Sequence, residues 1–259
     1  MGTLGRLAIG ENELSWLVEG AGAHGEEPDS PETVAASLAG SFRFVEETAT
    51  SSGLRAPQLG ALHAILAHRS MEATEPITIV MPTGTGKTET MLAAFCHSPS
   101  RTLVVVPSDA LRTQIADKFA TLGILPEVEA VSGEFRCPAV VVVRSALSSA
   151  AEVDHAVGRA NVVVATAQAL ARWSDAAKTR LVELCERLFV DEAHHVAART
   201  WRSVTDLFGN KEVVQFTATP YREDGRHLGG TVAYAYPLRL AQKNQYFARI
   251  SLDRSRVLC

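Results

Sequence analysis

The stretch Met81-Pro82-Thr83-Gly84-Thr85-Gly86-Lys87-Thr88 decides how the rest of this chain is read. It is preceded by Ile77-Thr78-Ile79-Val80-Met81, a short β-branched run that predicts a buried parallel strand, and followed by Thr88 to Phe95, which predicts a helix. In a strand-loop-helix of this kind, loop N–H groups and the helix N-terminus point at nucleotide phosphates. Glycines allow the backbone to approach, the lysine reaches the β- and γ-phosphates, and the Thr hydroxyl ligates Mg²⁺. ATP and Mg²⁺ are therefore expected, held by Pro82, Thr83, Gly84, Thr85, Gly86, Lys87, Thr88 and Glu89, with Thr88 on the metal. The general pattern asks for glycine at position 81, where Met81 stands. A glycine-rich turn with a chance Lys-Thr is the alternative, and the flanking strand and helix weigh against it.

At 259 residues and 46% hydrophobic content, the chain has the material for one large α/β domain or a domain with an extension. Cys96, Cys137, Cys185 and Cys259 are too widely spaced for a zinc knuckle or a compact disulfide framework, so a reducing cytoplasm is expected. No apolar run approaches the roughly 20 residues of a membrane span, and no membrane partner is expected. Charge is informative once divided. Residues 1–50 hold nine acidic residues and two arginines, whereas residues 51–259 hold twenty acidic and twenty-three basic ones. The acidic total therefore does not exclude a nucleic-acid partner. The last part is the more basic, with Arg222, Arg226, Arg239, Lys243, Arg249, Arg254 and Arg256, which a solvated surface explains as well as a binding track does.

Residues 1–50 read as an acidic, partly flexible extension with a connector over residues 21–31 and a short helix over residues 31–49. From Arg55 onward strands and helices alternate. A helix is predicted over residues 57–68, and strands over 102–106, 139–143, 161–165, 187–190 and 213–217, with helices over 109–122, 148–159 and 176–185 between them. All-apolar strands alternating with helices predict an α/β, doubly wound, mostly parallel sheet covered on both faces, with ligands at the carboxyl ends of the strands.

One such end carries Asp191-Glu192-Ala193-His194-His195, two acids that close a buried strand, where a carboxylate is costly without a cation. Mg²⁺ supplies one. Asp191 would hold the metal through water, and Glu192 would orient and deprotonate the attacking water, making Lys87, Asp191 and Glu192 the catalytic set. Acids at a helix N-terminus and a core histidine are the plainer readings of the pair and of His194.

These segments together resemble superfamily 2 helicases of the DEAD/DEAH-box type. Residues 81–88 are similar to their motif I, which tolerates a residue other than glycine at its first position, and Asp191 to His194 spells the DEAH box. Arg55-Ala56-Pro57-Gln58 resembles the Arg-x-x-Gln element, which implies that Arg55 and Gln58 bind the nucleotide and that Gln58 reads the adenine edge. Residues 107–114 look like motif Ia and residues 164–170 like the next strand-binding element, which implies nucleic-acid contacts by Pro107, Ser108, Gln114, Thr166 and Gln168. Such elements grip phosphates and carry no base information. Helix capping explains Ser108 and Thr166 equally, and the two roles can coexist. Thr217-Ala218-Thr219 is similar to motif III, which implies that these residues, with His194, couple the nucleotide site to the nucleic-acid track.

The resemblance implies an N-terminal RecA-like, P-loop NTPase domain over residues 51–235, with residues 236–259 leading toward a second RecA-like domain, in cis or in trans. Pro220 to Gly225 is most similar to the restriction-enzyme motor subunit (ResIII-like) branch, which favours DNA over RNA. The expectation is an ATP-dependent DNA helicase or translocase motor, with restriction or phage defence as a plausible setting. Arginine fingers contributed by a second domain are worth about 10³–10⁵ in rate in related phosphoryl transfers, so this chain alone is expected to bind ATP and turn it over slowly. The alternatives are a regulatory module that binds ATP and nucleic acid without efficient turnover, and a fragment of an RNA helicase.

Overall fold

The computed structural model describes residues 4–9, 14–19, 28–193, 204–219 and 229–246. Among the described residues nine strands form one sheet: β1 (Leu4–Ile9), β2 (Leu14–Glu19), β3 (Ile77–Val80), β4 (Thr102–Val106), β5 (Val140–Val142), β6 (Val162–Thr166), β7 (Arg187–Asp191), β8 (Glu212–Thr217) and β9 (Thr231–Ala235). Their order is β1-β2-β5-β6-β4-β7-β8-β3-β9. All pairings from β5 to β9 are parallel, while β1–β2 and β2–β5 are antiparallel. This is the RecA-like, doubly wound sheet expected from the alternation of apolar strands and helices.

The helices among the described residues include α1 (Pro31–Leu38), α2 (Ala56–Ser70), α3 (Lys87–His97), α4 (Asp109–Thr121), α5 (Ala150–Val157), α6 (Ala167–Ala171), α7 (Asp175–Leu184) and α8 (Leu238–Lys243). Strand side chains alternate between two cores. Val104, Val106, Phe189 and Phe216 pack with Leu62, Ile65, Phe95 and Phe119 under α2, α3 and α4. Leu103, Val105, Leu188 and Val190 pack with Val153, Leu170, Trp173 and Leu181 under α5, α6 and α7. That division is why the central strands read as unbroken apolar runs rather than alternating ones. The chain enters several helices through a serine cap: Ser30, Ser108, Ser149 and Ser174 each accept an N–H from the first helical turn.

The structure departs from the sequence expectation at the two ends. Within residues 1–50, β1 and β2 form a hairpin added antiparallel to β5, and Leu17, Val34 and Leu38 are buried. The helix expected over residues 31–49 stops at Leu38, because Gly40 takes a left-handed φ of 76°. Strand β9, which carries little hydrophobic signal, lies at the sheet edge and is mostly exposed. It approaches α2 at Gly60, where a Cβ would meet the Tyr234 hydroxyl at 2.5 Å. The connector over residues 21–31 lies outside the described residues except for residues 28–31.

A buried pair crosses the sheet below the loops. Glu212 at the start of β8 receives Arg187 Nε at 2.7 Å from β7 and Arg69 Nη2 at 2.9 Å from α2. Arg187 is 3% exposed. One carboxylate is thus shared by two guanidinium groups held at the ends of neighbouring elements.

Candidate functional sites at the carboxyl edge of the sheet

The phosphate loop leaves β3 at Met81, whose N–H donates to Thr217 O of β8 at 2.9 Å. Gly84 and Gly86 sit at φ 84° and 94°, the left-handed region that glycine adopts freely. Thr85 folds back into the loop, its hydroxyl donating to Pro82 O at 2.6 Å. At Gly86 any side chain is excluded, since a Cβ would lie 2.0 Å from Gln58 Nε2. Gln58 is 3% exposed, and its Oε1 accepts the Arg55 N–H at 2.7 Å. The Gln58 side chain therefore packs closely against the phosphate loop while its amide oxygen caps the start of α2. Arg55 donates from Nη1 to Gly84 O at 3.3 Å, lies 3.8 Å from the Glu47 carboxylate, and holds its guanidinium 5.3 Å from the centre of the Tyr246 ring.

Strands β3 and β7 flank β8 in parallel, which carries the Asp191-Glu192 pair to the same edge as the loop. Lys87 Nζ lies 2.8 Å from Glu192 Oε1. Glu192 itself sits at φ 47°, an uncommon conformation for a non-glycine residue at the end of a strand. Asp191 is 4% exposed, and its Oδ1 has no hydrogen-bond partner among the described residues. Burial pushes its carboxyl from an ordinary 3.8 up to about 6, and the Glu192 charge adds to the rise, with Lys87 and the Glu192 backbone N–H opposing it. A cavity of about 500 Å³ opens here, lined by Gly84, Gly86, Lys87, Thr88, Asp191 and Glu192 among others. A buried carboxylate oxygen without a partner, beside a Thr hydroxyl and above a phosphate loop, fits Mg²⁺, which binds through one or two protein oxygens plus waters and phosphates. Glu89 also lines this cavity, but its carboxylate is engaged by Lys118 of α4.

A second cavity of about 530 Å³ lies farther along the same sheet edge, beyond β4, β6 and β5. It is lined by Asp109, Arg112, Arg144, Thr166, Gln168, Ala169 and Arg172. Thr166 and Gln168 both line it, with Thr166 also capping α6 by accepting the Ala169 N–H at 3.1 Å. Ser108 caps α4 by accepting the Leu111 N–H at 3.4 Å. Neither it nor Pro107 lines this cavity, and Gln114, farther along α4, lines the phosphate-loop cavity instead.

A family model for the res subunit of type III restriction enzymes (ResIII) matches residues 51–222, more than half of the chain. The chain belongs to the ResIII family. Among curated proteins, the DNA 3'-5' translocase XPB2 of Sulfurisphaera tokodaii is 28% identical over 153 residues, covering 58% of this chain and 28% of that protein. Similar solved structures include a nuclease-deletion mutant of the Type ISP restriction-modification enzyme LlaGI in complex with a DNA substrate mimic, 17% identical with a TM-score of 0.49, over 75% of this chain and 21% of that one. The UvsW helicase of bacteriophage T4 is 15% identical with a TM-score of 0.48, over 74% of this chain and 64% of that one. The chain thus spans little more than a quarter of the curated relative it matches. It carries a superfamily 2 helicase RecA-like domain, of a helicase and translocase motor family.

In this ResIII domain the Thr217-Ala218-Thr219 segment is a compact turn. Thr217 is fully buried, its hydroxyl donating to Thr219 O at 2.7 Å and accepting the Thr219 N–H at 3.2 Å. Through the Met81 N–H to Thr217 O bond, the turn is tied directly to the phosphate loop. His194 and residues 220–225 lie outside the described residues. Of the basic residues near the C-terminus, Arg239 and Lys243 lie on α8, and Arg222, Arg226, Arg249, Arg254 and Arg256 lie outside the described residues. Arg112, Arg144 and Arg172, none of which the sequence reading singled out, are the ResIII arginines that gather in the second cavity. A signal was present: each follows a sheet strand by a few residues, after β4, β5 and β6. Cys96 and Cys185 are buried free thiols, and among the described residues no helix is long and apolar enough to cross a membrane.

Proposed function

We infer that this chain supplies the first RecA-like half of an ATP-dependent DNA translocase or helicase. The observation that carries the reading is the buried Asp191, whose Oδ1 has no hydrogen-bond partner among the described residues and which lines the phosphate-loop cavity together with Lys87 and Glu192. Arg55 and Gln58 would border the nucleotide base, and residues 82–89 would wrap its phosphates. Lys87 would leave Glu192 to contact the terminal phosphates, freeing the Glu192 carboxylate to accept a proton from the attacking water. Thr88 and Asp191 would hold Mg²⁺, which when bound neutralises charge on the β- and γ-phosphate oxygens.

The Thr217-Ala218-Thr219 turn, with His194, would carry the state of the nucleotide site toward the strand-binding cavity containing Thr166 and Gln168. Pro107, Ser108 and Gln114 would contribute from the β4–α4 side. A second RecA-like domain, in cis or in trans, would close the cleft over residues 51–235 and supply an arginine finger. DNA is favoured over RNA by the name of the curated relative, and the ResIII family makes restriction or phage defence a fitting setting in the cytoplasm.

The test is ATP hydrolysis by the purified chain with Mg²⁺, with and without single-stranded and duplex DNA or matched RNA, against the Glu192→Gln variant. Turnover stimulated by DNA and abolished in the variant is expected once a second RecA-like domain is supplied. Equal turnover by Glu192→Gln would remove Glu192 from the proton-accepting role, and stimulation by RNA alone would overturn the preference for DNA.

A further inference from the structure

The second cavity has a charge imbalance that its own residues do not resolve. Three guanidinium groups, on Arg112, Arg144 and Arg172, share it with one carboxylate, on Asp109. Arg112 lies beneath, 6% exposed, with Nη1 donating to Val143 O at 3.0 Å and lying 3.0 Å from Asp109 Oδ1. Its Nε is buried without a hydrogen-bond partner among the described residues. Burial pushes the Arg112 guanidinium below its ordinary range. Asp109 opposes that shift, and Arg144 and Arg172 deepen it. Arg144 and Arg172 reach toward solvent above it, and Arg172 is anchored by an Nη2 bond to Arg144 O at 3.3 Å. The Asp109 side chain is 78% exposed and so is free to move away at little cost.

We propose that Arg144 and Arg172 clamp a backbone phosphate of a bound nucleic-acid strand over Arg112, and that Asp109 is an internal anion whose place on Arg112 the phosphate field takes over. The clamp rests on the nucleic-acid reading of the Thr166 and Gln168 cavity and adds to it the residues that supply its charge. Planar guanidinium forks match phosphate oxygens in pairs, and no aromatic side chain lines the cavity to stack a base, so the contact is blind to sequence. Asp109 then has a definite effect: by half-neutralising the clamp when no strand is present, it lowers affinity for weak anions and sharpens the preference for a polyanion. Arg112 is a positioning residue, since its guanidinium is spent on Val143 O and Asp109 and faces the strand only through the charge it contributes.

The experiment is fluorescence-anisotropy titration of a labelled oligothymidylate against salt concentration, using the full chain, Arg144→Gln/Arg172→Gln, and Asp109→Asn. Circular dichroism melts confirm that each variant is folded. The double variant should bind about tenfold or more weakly at low salt, with the slope of log affinity against log salt reduced by roughly 0.7, the loss of one single-strand phosphate contact. Asp109→Asn should bind about two- to fivefold more tightly, as expected for removing an exposed like charge. A strand whose central phosphates are methylphosphonates should be bound equally by the wild type and the double variant. Should the wild type bind the strand while the double variant keeps its full slope, the clamp is wrong and the nucleic-acid reading stands. Absence of any strand binding by the wild type would overturn both.

Discussion

Lys87 and Glu192 hold each other across the nucleotide cavity, Nζ to Oε1 at 2.8 Å, with the lysine side chain only 9% exposed. On the nucleotide reading proposed above, a terminal phosphate would take the place of Glu192 on the same ammonium, and Glu192 would be restrained until that phosphate is bound.

Lys87→Ala removes that ammonium. A hydrogen bond to a charged group contributes about 1.5–3 kcal/mol, so nucleotide affinity should fall about 10- to 100-fold. Calorimetric titration with a non-hydrolysable ATP analogue reads this directly. Unchanged affinity would sink the assignment of residues 81–88 as a phosphate loop.

Asp191 makes the nucleotide-free chain sensitive to pH. Its carboxyl is raised to about 6 from 3.8, chiefly by burial, so the stability it contributes is fully present below about pH 4 and is lost as the pH rises through about 6. Two pKa units correspond to about 3 kcal/mol of strain at pH 7.5, falling to about half of that by pH 5. Asp191→Asn should accordingly raise the melting temperature of the nucleotide-free chain at pH 7.5, with a smaller gain at pH 5. Mg²⁺ with ATP analogue should reverse the ranking, stabilising the wild type more than the variant. Identical melting curves at pH 7.5 would show that the carboxylate is not strained.

Glu212 is the counter-charge for Arg187 and Arg69, at 2.7 and 2.9 Å. Glu212→Ala leaves two partly or fully buried guanidinium groups facing each other, and breaking a buried pair in this way costs about 3–5 kcal/mol. At roughly 2–4 °C per kcal/mol for a chain of this size, a fall of about 10 °C in melting temperature is expected. A change of a degree or two would mean that solvent reaches the pair and screens it.

Much of the sheet was legible in the chain. Strand β4 spans the residues its apolar run marks, and β3, β6, β7 and β8 differ from expectation by a residue or so at their ends. Strands buried on both faces need continuous apolar residues, and that demand is local. Strand β9 escaped notice because an exposed edge strand makes no such demand. The β1–β2 hairpin escaped because its anchor is pairing with β5, a partner distant in sequence. In the candidate sites, the phosphate-loop residues were legible from their glycines. The arginine cavity was harder to see: Arg112, Arg144 and Arg172 each follow a strand, but they lie on three separate crossovers and only the strand order brings them together.

By itself, then, the sequence determined the elements and the phosphate loop, since strand burial, serine capping and positive φ at Gly84 and Gly86 are satisfied within a few residues. Only the tertiary structure decided which residues meet. The order β7-β8-β3 sets Asp191 and Glu192 beside Lys87, and the order β5-β6-β4 gathers three arginines around Asp109. It also sends Gln114 to the phosphate-loop cavity rather than to the arginine cavity. The physical reason is that helices and turns form through neighbours in the chain, whereas the placement of a charge depends on which parallel strands lie side by side.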